Sequence, residues 1–171
     1  CRREVTAPFR VEPPGPAHAR DAFSCGVQAL DDYLVRQARQ DIRRRVSACH
    51  VADEVSTGKI AGYYTLAAGG VPLTGLPAAL SRQLPRYPSV PMARIGRLAV
   101  DQAFHGMKLG GALLADAAKR ATRSELAVFA LVVDAKGDAA EAFYRHHGFE
   151  SLGSLARQLI VSLRHFAPVA G

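Results

Sequence analysis

Cysteine is scarce: Cys1, Cys25 and Cys49 are the three in 171 residues, far apart and odd in number. With no C-x-x-C pair and no histidines at ligand spacing, they suggest neither a disulfide framework nor a zinc site. Cys25, beside Gly26 in an expected loop, reads as a small side chain rather than a reactive thiol. Long apolar runs are missing as well. None approaches the roughly 20 residues that a membrane-spanning helix needs, and the opening CRREVTAPFR lacks the apolar centre of a secretory signal. The expectation is a cytoplasmic protein with no membrane partner. Acidic side chains are the minority, 15 against 22 Lys and Arg, for a formal charge of +7. The excess is local: residues 61–125 hold eight basic and three acidic side chains, whereas 126–171 hold four of each. An anionic ligand or partner is therefore favoured near the middle of the chain.

What is present suits one core. At this length, and with 49% hydrophobic residues, a single domain over 1–171 is expected. Pro and Gly cluster at Pro13–Pro16 and Gly69–Pro91, which read as loops. Val5–Val11 is expected as a first strand. From Val27 to Arg45 the apolar residues Val27, Leu30, Leu34, Ala38 and Ile42 keep helical spacing, with Arg36, Arg39 and Arg43 on another face. Ser47–Asp53 and Lys59–Ala67 read as two strands joined by a turn at Ser56-Thr57-Gly58. Met92–Asp101 is a further strand and Leu109–Arg123 a helix burying Leu109, Leu113, Leu114 and Ala117. Val128–Val133 is an apolar run of the kind covered on both faces. Gly137–His147 is a helix stopped by Gly148, and Gln158–Leu163 a last strand. The order gives an α/β (α+β) fold with a mixed, mostly antiparallel sheet flanked by helices.

Chemistry concentrates in two segments. The first is the strand Arg97-Leu98-Ala99-Val100-Asp101, followed by the loop His105-Gly106-Met107-Lys108-Leu109-Gly110-Gly111 into a helix. Such a strand, glycine-bearing loop and helix start presents unpaired N–H groups to one point, with the helix dipole favouring negative charge. It lacks the spacing of a nucleotide triphosphate loop and an acidic metal-binding companion, so phosphate or pyrophosphate without a metal is expected. Alone, a glycine pair before a helix is better explained by a plain turn. The second segment is Asp138-Ala139-Ala140-Glu141-Ala142-Phe143-Tyr144-Arg145-His146-His147-Gly148-Phe149.

Taken in this order, the two segments resemble the cofactor loop and the A-x-x-F-Y-x-x-x-G-F end of GNAT acetyltransferases, a likeness extending over most of the chain from Ile60 onward. It implies acetyl-coenzyme A as co-substrate. The backbone of Leu98-Ala99-Val100 would pair with the pantetheine arm, His105 to Gly111 would bind the pyrophosphate, Phe143 would flank the cofactor, and Tyr144 would be the general acid. That role is chemically sensible, because acyl transfer expels a thiolate and a phenol with pKa near 10 can stabilise or protonate it. Three departures stand out. His105 replaces a Gln or Arg, Lys108 replaces a glycine and could crowd the loop or resist its φ angle, and Gly137 stands where many members carry Asn.

Phe23-Ser24-Cys25-Gly26-Val27-Gln28-Ala29-Leu30-Asp31-Asp32-Tyr33-Leu34, Leu84-Pro85-Arg86-Tyr87-Pro88 and Arg97 to Asp101 together resemble a narrower branch, the bacterial GNAT toxins of toxin-antitoxin pairs. That likeness implies acetylation of the α-amino group of aminoacyl-tRNA, arrest of translation, a homodimer and a ribbon-helix-helix antitoxin as partner. The strand Ala93–Ala99 offers Arg94 and Arg97 but no carboxylate base. This suits an α-amine with pKa near 8 better than a lysine amine near 10.4. Arg36, Arg39, Arg43, Arg94 and Arg97 are the candidate RNA contacts, with Arg82 and Arg86 behind them. Tyr63, Tyr64 and Tyr87 are the few aromatics placed to stack on bases. His146 and His147 suit a helix C-terminus without chemistry, and His50 reads as structural. The rival readings are a GNAT enzyme of protein termini, lysines or small amines, and a non-catalytic module binding RNA or a partner.

Overall fold

The computed structural model describes residues 8–153 and 157–166. Seven strands form one sheet in the order β1-β2-β3-β4-β5-β7-β6. They are β1 Phe9–Glu12, β2 Ala48–Glu54, β3 Ile60–Pro72, β4 Ser89–Val100, β5 Ala130–Asp134, β6 Glu150–Ser151 and β7 Gln158–Ser162. The helices are α1 Gln28–Arg36, α2 Ala38–Arg43, α3 Ala78–Ser81, α4 Leu109–Arg123 and α5 Asp138–His146. β1 lies antiparallel to β2, β5 and β6 antiparallel to β7, and β4 parallel to β5. No described helix is long and apolar enough to cross a membrane.

The chain divides into two compact units, one of residues up to Thr65 plus Arg97–Leu114, the other of Leu66–Gly96 plus Ala115 onward. In the first, Tyr33, Leu34 and Ala38 pack with Val51, Ile60, Tyr63 and Ala99. Full burial of a side chain such as Leu34, at 0% exposure, contributes about 1.5–3 kcal/mol. In the second, Val71, Leu80, Val90 and Met92 pack with Ala130, Val132 and Ile160.

Several expectations are corrected. The expected helix over Val27–Arg45 is two helices, because Gln37 leaves helical geometry at φ −121° and ψ −29°. No Pro or Gly marks that break. Tyr33 of α1 donates its hydroxyl to Asp41 of α2 across it, and the apolar stripe frays, leaving Val27 52% and Ile42 36% exposed. The arginine stripe is accordingly shared between α1, with Arg36, and α2, with Arg39 and Arg43. Gly69–Pro72 belong to β3 rather than to a loop. A Cβ on Gly69 would stand 2.7 Å from Met92 Cε and one on Gly70 2.5 Å from Ser89 Oγ. These glycines let neighbouring side chains cover the strand. β1 begins at Phe9, and Val5–Ala7 of the expected strand lie outside the described residues. β5 starts at Ala130, later than expected, whereas α4 has the bounds read from its apolar spacing.

Candidate acetyl-transfer site

In the first unit the end of β4 is locked before the loop begins. The Asp101 N–H donates to Ala61 O at 2.8 Å, while the Asp101 carboxylate accepts from Ala103 N (Oδ1) and from Ser24 N (Oδ2), each at 2.9 Å. Both carboxylate oxygens are thus spent on backbone, one capping the 3-10 turn Gln102–Phe104, the other holding the Ser24 loop. His105 turns back to donate from Nε2 to Val100 O at 2.9 Å. Gly106 takes φ +80°, with open space where a Cβ would be, and Lys108 takes φ +59°. The expectation that a side chain at 108 meets an unfavourable φ is met, at a cost of roughly 1–2 kcal/mol for an L-residue. Lys108 is also the last residue before α4, and its carbonyl accepts the Ala112 N–H. Leu109, Gly110 and Gly111 therefore have no preceding turn to donate to, the geometry that suits an anion. Met107 is 54% exposed beside them. Ala99 is buried, Leu98 and Val100 half-buried. The β4–β5 register runs from Met92↔Ala130 to Ile95↔Val133, and β4 continues to Val100.

In the second unit Tyr144 lies on α5, 6% exposed. Its ring stands edge-on to Phe143 at 5.1 Å and to Phe149 at 5.2 Å. Among the described residues its hydroxyl makes no hydrogen bond, and burial alone pushes its pKa up to about 12. The phenol is therefore protonated at neutral pH, with an uncommitted donor. α5 is anchored by Arg157 on Asp138 and Glu141, and Arg145 pairs with Glu141 one turn away on the same helix. Gly137 precedes it and accepts the Glu141 N–H, with no capping side chain. Gly148 ends it at φ +93°, where a Cβ would stand 2.6 Å from the His165 ring. Burial, then His146 and His165, lower the His147 pKa, which works against a cation at this helix end.

The expected cationic residues are held differently from one another. Arg94 is tied to Asp134 at 2.8 Å, so its charge is half spent. Arg97 lies over the Tyr33 ring. Arg36, Arg39 and Arg43 are exposed. Of the expected stacking aromatics, Tyr63 and Tyr64 are fully buried and only Tyr87, 64% exposed, can meet a base. His50 stacks on Tyr64 at 5.3 Å, a packing role. Cys25 and Cys49 are free thiols raised by burial to about 11 and about 12, protonated and poorly nucleophilic.

Two groupings escaped the sequence reading because their members are distant in the chain. Glu12, His18 and Asp53 bring ligand-type atoms within 4.8 Å. His18 Nδ1 accepts the Gly15 N–H at 2.7 Å, so Nε2 carries the proton and donates to Glu12 Oε1 at 3.0 Å. The donor set thus acts as a hydrogen-bonded network, with Arg10 on Asp53 at 3.0 Å. A cavity of about 310 Å3 is lined by Asp21, Phe23, Gln28, Asp31 and Asp32; its carboxylates disfavour phosphate.

Comparison with known proteins identifies the family. A family model described as the acetyltransferase (GNAT) family matches residues 17–149. The tRNA-acetylating toxin of Mycobacterium tuberculosis is 37% identical over 131 residues, 75% of this chain and 76% of its own. The probable toxin TacT of Sinorhizobium fredii is 30% identical over 170 residues, 94% of this chain and 91% of its own. Among solved structures, AtaT complexed with acetyl-methionyl-tRNAfMet shares the fold at TM-score 0.83 and 24% identity, over 91% of this chain and 95% of that one.

Proposed function

This chain belongs to the acetyltransferase (GNAT) family, and we propose that it is a toxin that moves an acetyl group from acetyl-coenzyme A to the α-amino group of aminoacyl-tRNA, arresting translation. The observation that carries the reading is the pairing of two features in one chain. One is a strand-loop-helix start with free N–H groups at Leu109, Gly110 and Gly111. The other is a buried tyrosine with an uncommitted hydroxyl. The curated relatives named as a tRNA-acetylating toxin and a probable toxin support the acceptor class.

The residues present fit the cofactor. β4 beyond Ile95 offers Leu98, Ala99 and Val100 to the amides of a pantetheine arm. The His105-to-Gly111 loop offers its N–H groups to a pyrophosphate, and Phe143 is the side chain assigned to flank the cofactor. The open space around Gly106 leaves room for close backbone approach. Acetyl-coenzyme A supplies a thioester carbonyl. The acceptor nitrogen bonds to that carbon, the C–S bond breaks, and the amine loses a proton to water. Tyr144 donates from its hydroxyl to the sulfur as negative charge develops. With Tyr144 near 12 and a free thiol near about 8.5, full proton transfer to a solvated thiolate is uphill. Hydrogen-bond stabilisation of the departing sulfur is then the larger contribution, and transfer completes as the thiolate is desolvated.

No carboxylate base is assigned. Arg94 and Arg97 occupy β4, and an α-amine near 8 is already partly neutral at pH 7. Arg36, Arg39, Arg43 and Arg97 are assigned to the RNA phosphates, with Arg94 contributing less because Asp134 shares its charge. The chain acts in the cytoplasm as a homodimer and is silenced by a ribbon-helix-helix antitoxin. Expression in a cell-free translation system tests the reading. Added wild-type protein with acetyl-coenzyme A should stop synthesis, and Tyr144→Phe should not. Synthesis that continues with both would remove the toxin assignment.

A further inference from the structure

Arg97 stands near the end of β4, two residues before the buried Ala99. Side chains two apart on a strand share a face, and on this face Ala99 packs with Tyr33 and Tyr63 in the core of the first unit. The guanidinium meets that core as a stack: its central carbon lies 3.6 Å from the centroid of the Tyr33 ring. The ring beneath it is itself fixed. Tyr33 is 4% exposed, its hydroxyl donates to Asp41 Oδ2 at 2.7 Å, and its plane lies 13° from that of Tyr63 at a centroid distance of 6.3 Å. Tyr63, fully buried, donates to Leu30 O at 2.6 Å and takes the Phe23 ring edge-on at 5.5 Å.

A cation held this firmly is nevertheless left without an anion. Arg97 is half-buried, yet among the described residues no carboxylate pairs with it and no acceptor takes its N–H groups. None of its nitrogens is both unpaired and closed off from solvent, so the donors remain within reach of a ligand. Arg94, three residues earlier on the same strand, differs in that Asp134 already holds it at 2.8 Å. A guanidinium stacked by its face keeps its in-plane N–H fork for an oxoanion, and the fork matches the geometry of phosphate.

We propose that Tyr33 is a positioning residue, which holds the Arg97 guanidinium flat so that its N–H fork meets one backbone phosphate of the RNA acceptor. The proposal rests on the aminoacyl-tRNA reading for the source of the phosphate. It goes beyond that reading by giving Tyr33 a task and by making the posture of Arg97, not only its charge, part of acceptor binding. The cofactor's phosphates are the competing source of the same chemistry, and the free N–H groups at the start of α4 already answer to them.

The test measures binding of uncharged bulk tRNA from about 50 to 200 mM salt, with coenzyme A binding measured calorimetrically on every variant. Arg97→Gln should weaken tRNA binding and lower the slope of log affinity against log salt by about 0.7–0.9, the share of one phosphate contact. Tyr33→Leu, which removes the ring and keeps the charge, should weaken binding about two- to fivefold with the slope unchanged. Tyr33→Phe should bind as the wild type does. In the Arg97→Gln background, Tyr33→Leu should cost no further tRNA affinity, a non-additivity that a general loosening of the core does not produce. Arg97→Lys reads the same geometry should Tyr33→Leu fail to fold: its point charge should keep the slope and lose affinity. Coenzyme A affinity should be the same throughout. Wild-type tRNA affinity and slope in Arg97→Gln, or full affinity in Arg97→Lys, would overturn the proposal. So would additive losses in the double variant, which make Tyr33 structural, or an equal loss of coenzyme A affinity, which assigns Arg97 to the cofactor. If the wild type binds tRNA with this dependence but transfers no acetyl group to its charged form, the positioning role stands and the acceptor assignment falls.

Discussion

The guanidinium of Arg97 lies over the ring of Tyr33 while the Tyr33 hydroxyl donates to Asp41, so one side chain joins the end of β4 to both short helices. Removing the hydroxyl alone separates the two jobs. Tyr33→Phe should keep the ring beneath Arg97 and cost about 1 kcal/mol of stability through the lost hydrogen bond. Urea unfolding of Tyr33→Phe, Asp41→Asn and the double variant measures it. The double variant should cost less than the sum of the singles.

Lys108 sits in the left-handed region at φ +59°. Lys108→Gly should raise the stability of the ligand-free protein by about 1 kcal/mol, since the glycine carries no Cβ to crowd the following carbonyl. Denaturant unfolding without cofactor reads this directly. A loss of stability would mean that the lysine side chain is packed to advantage.

Gly62 shows the opposite constraint. A Cβ there would stand 2.8 Å from Ala99 O and 2.9 Å from Leu113 Cδ1. Gly62→Ala should therefore destabilise by about 1–3 kcal/mol through overpacking. The same unfolding measurement checks it.

Alkali should destabilise the fold through its buried thiol. Cys49 titrates near 12 when folded against an ordinary 9.0. Its folded pKa is raised, so its contribution is complete below about pH 9 and is lost as pH rises through 12. The stability difference between the wild type and Cys49→Ala should shrink over that window, by up to about 1.4 kcal/mol per pH unit at its steepest. A constant difference from pH 8 to 11 would mean that the thiol ionises freely in the folded state. Tyr33, Cys25 and Tyr144 are displaced the same way and add to the alkaline loss in both proteins.

The sequence made α4 legible because Leu109, Leu113, Leu114 and Ala117 keep one face and Arg123 closes it, so spacing alone fixes both ends. The loop before it was legible from its glycines, and Tyr144 from the aromatic helix it shares with Phe143. The break at Gln37 was not, because no local residue forbids the helix and tertiary packing, including the Tyr33–Asp41 bond, accompanies it. Gly69 and Gly70 misled because glycine signals turns, yet here it admits Met92 and Ser89 against a strand. Tyr63 and Tyr64 looked available to bases, but the inside of a sheet claims both.

The most direct measurement is transfer of labelled acetyl from acetyl-coenzyme A to a charged-tRNA pool, by the wild type and by Tyr144→Phe. The wild type should place label on the aminoacyl group. Tyr144→Phe should lose about 10²- to 10⁴-fold in rate, with coenzyme A affinity and stability retained. Label that never reaches the aminoacyl group, from a protein that binds the cofactor, would contradict the assignment, and equal rates for the two proteins would remove Tyr144 from the chemistry.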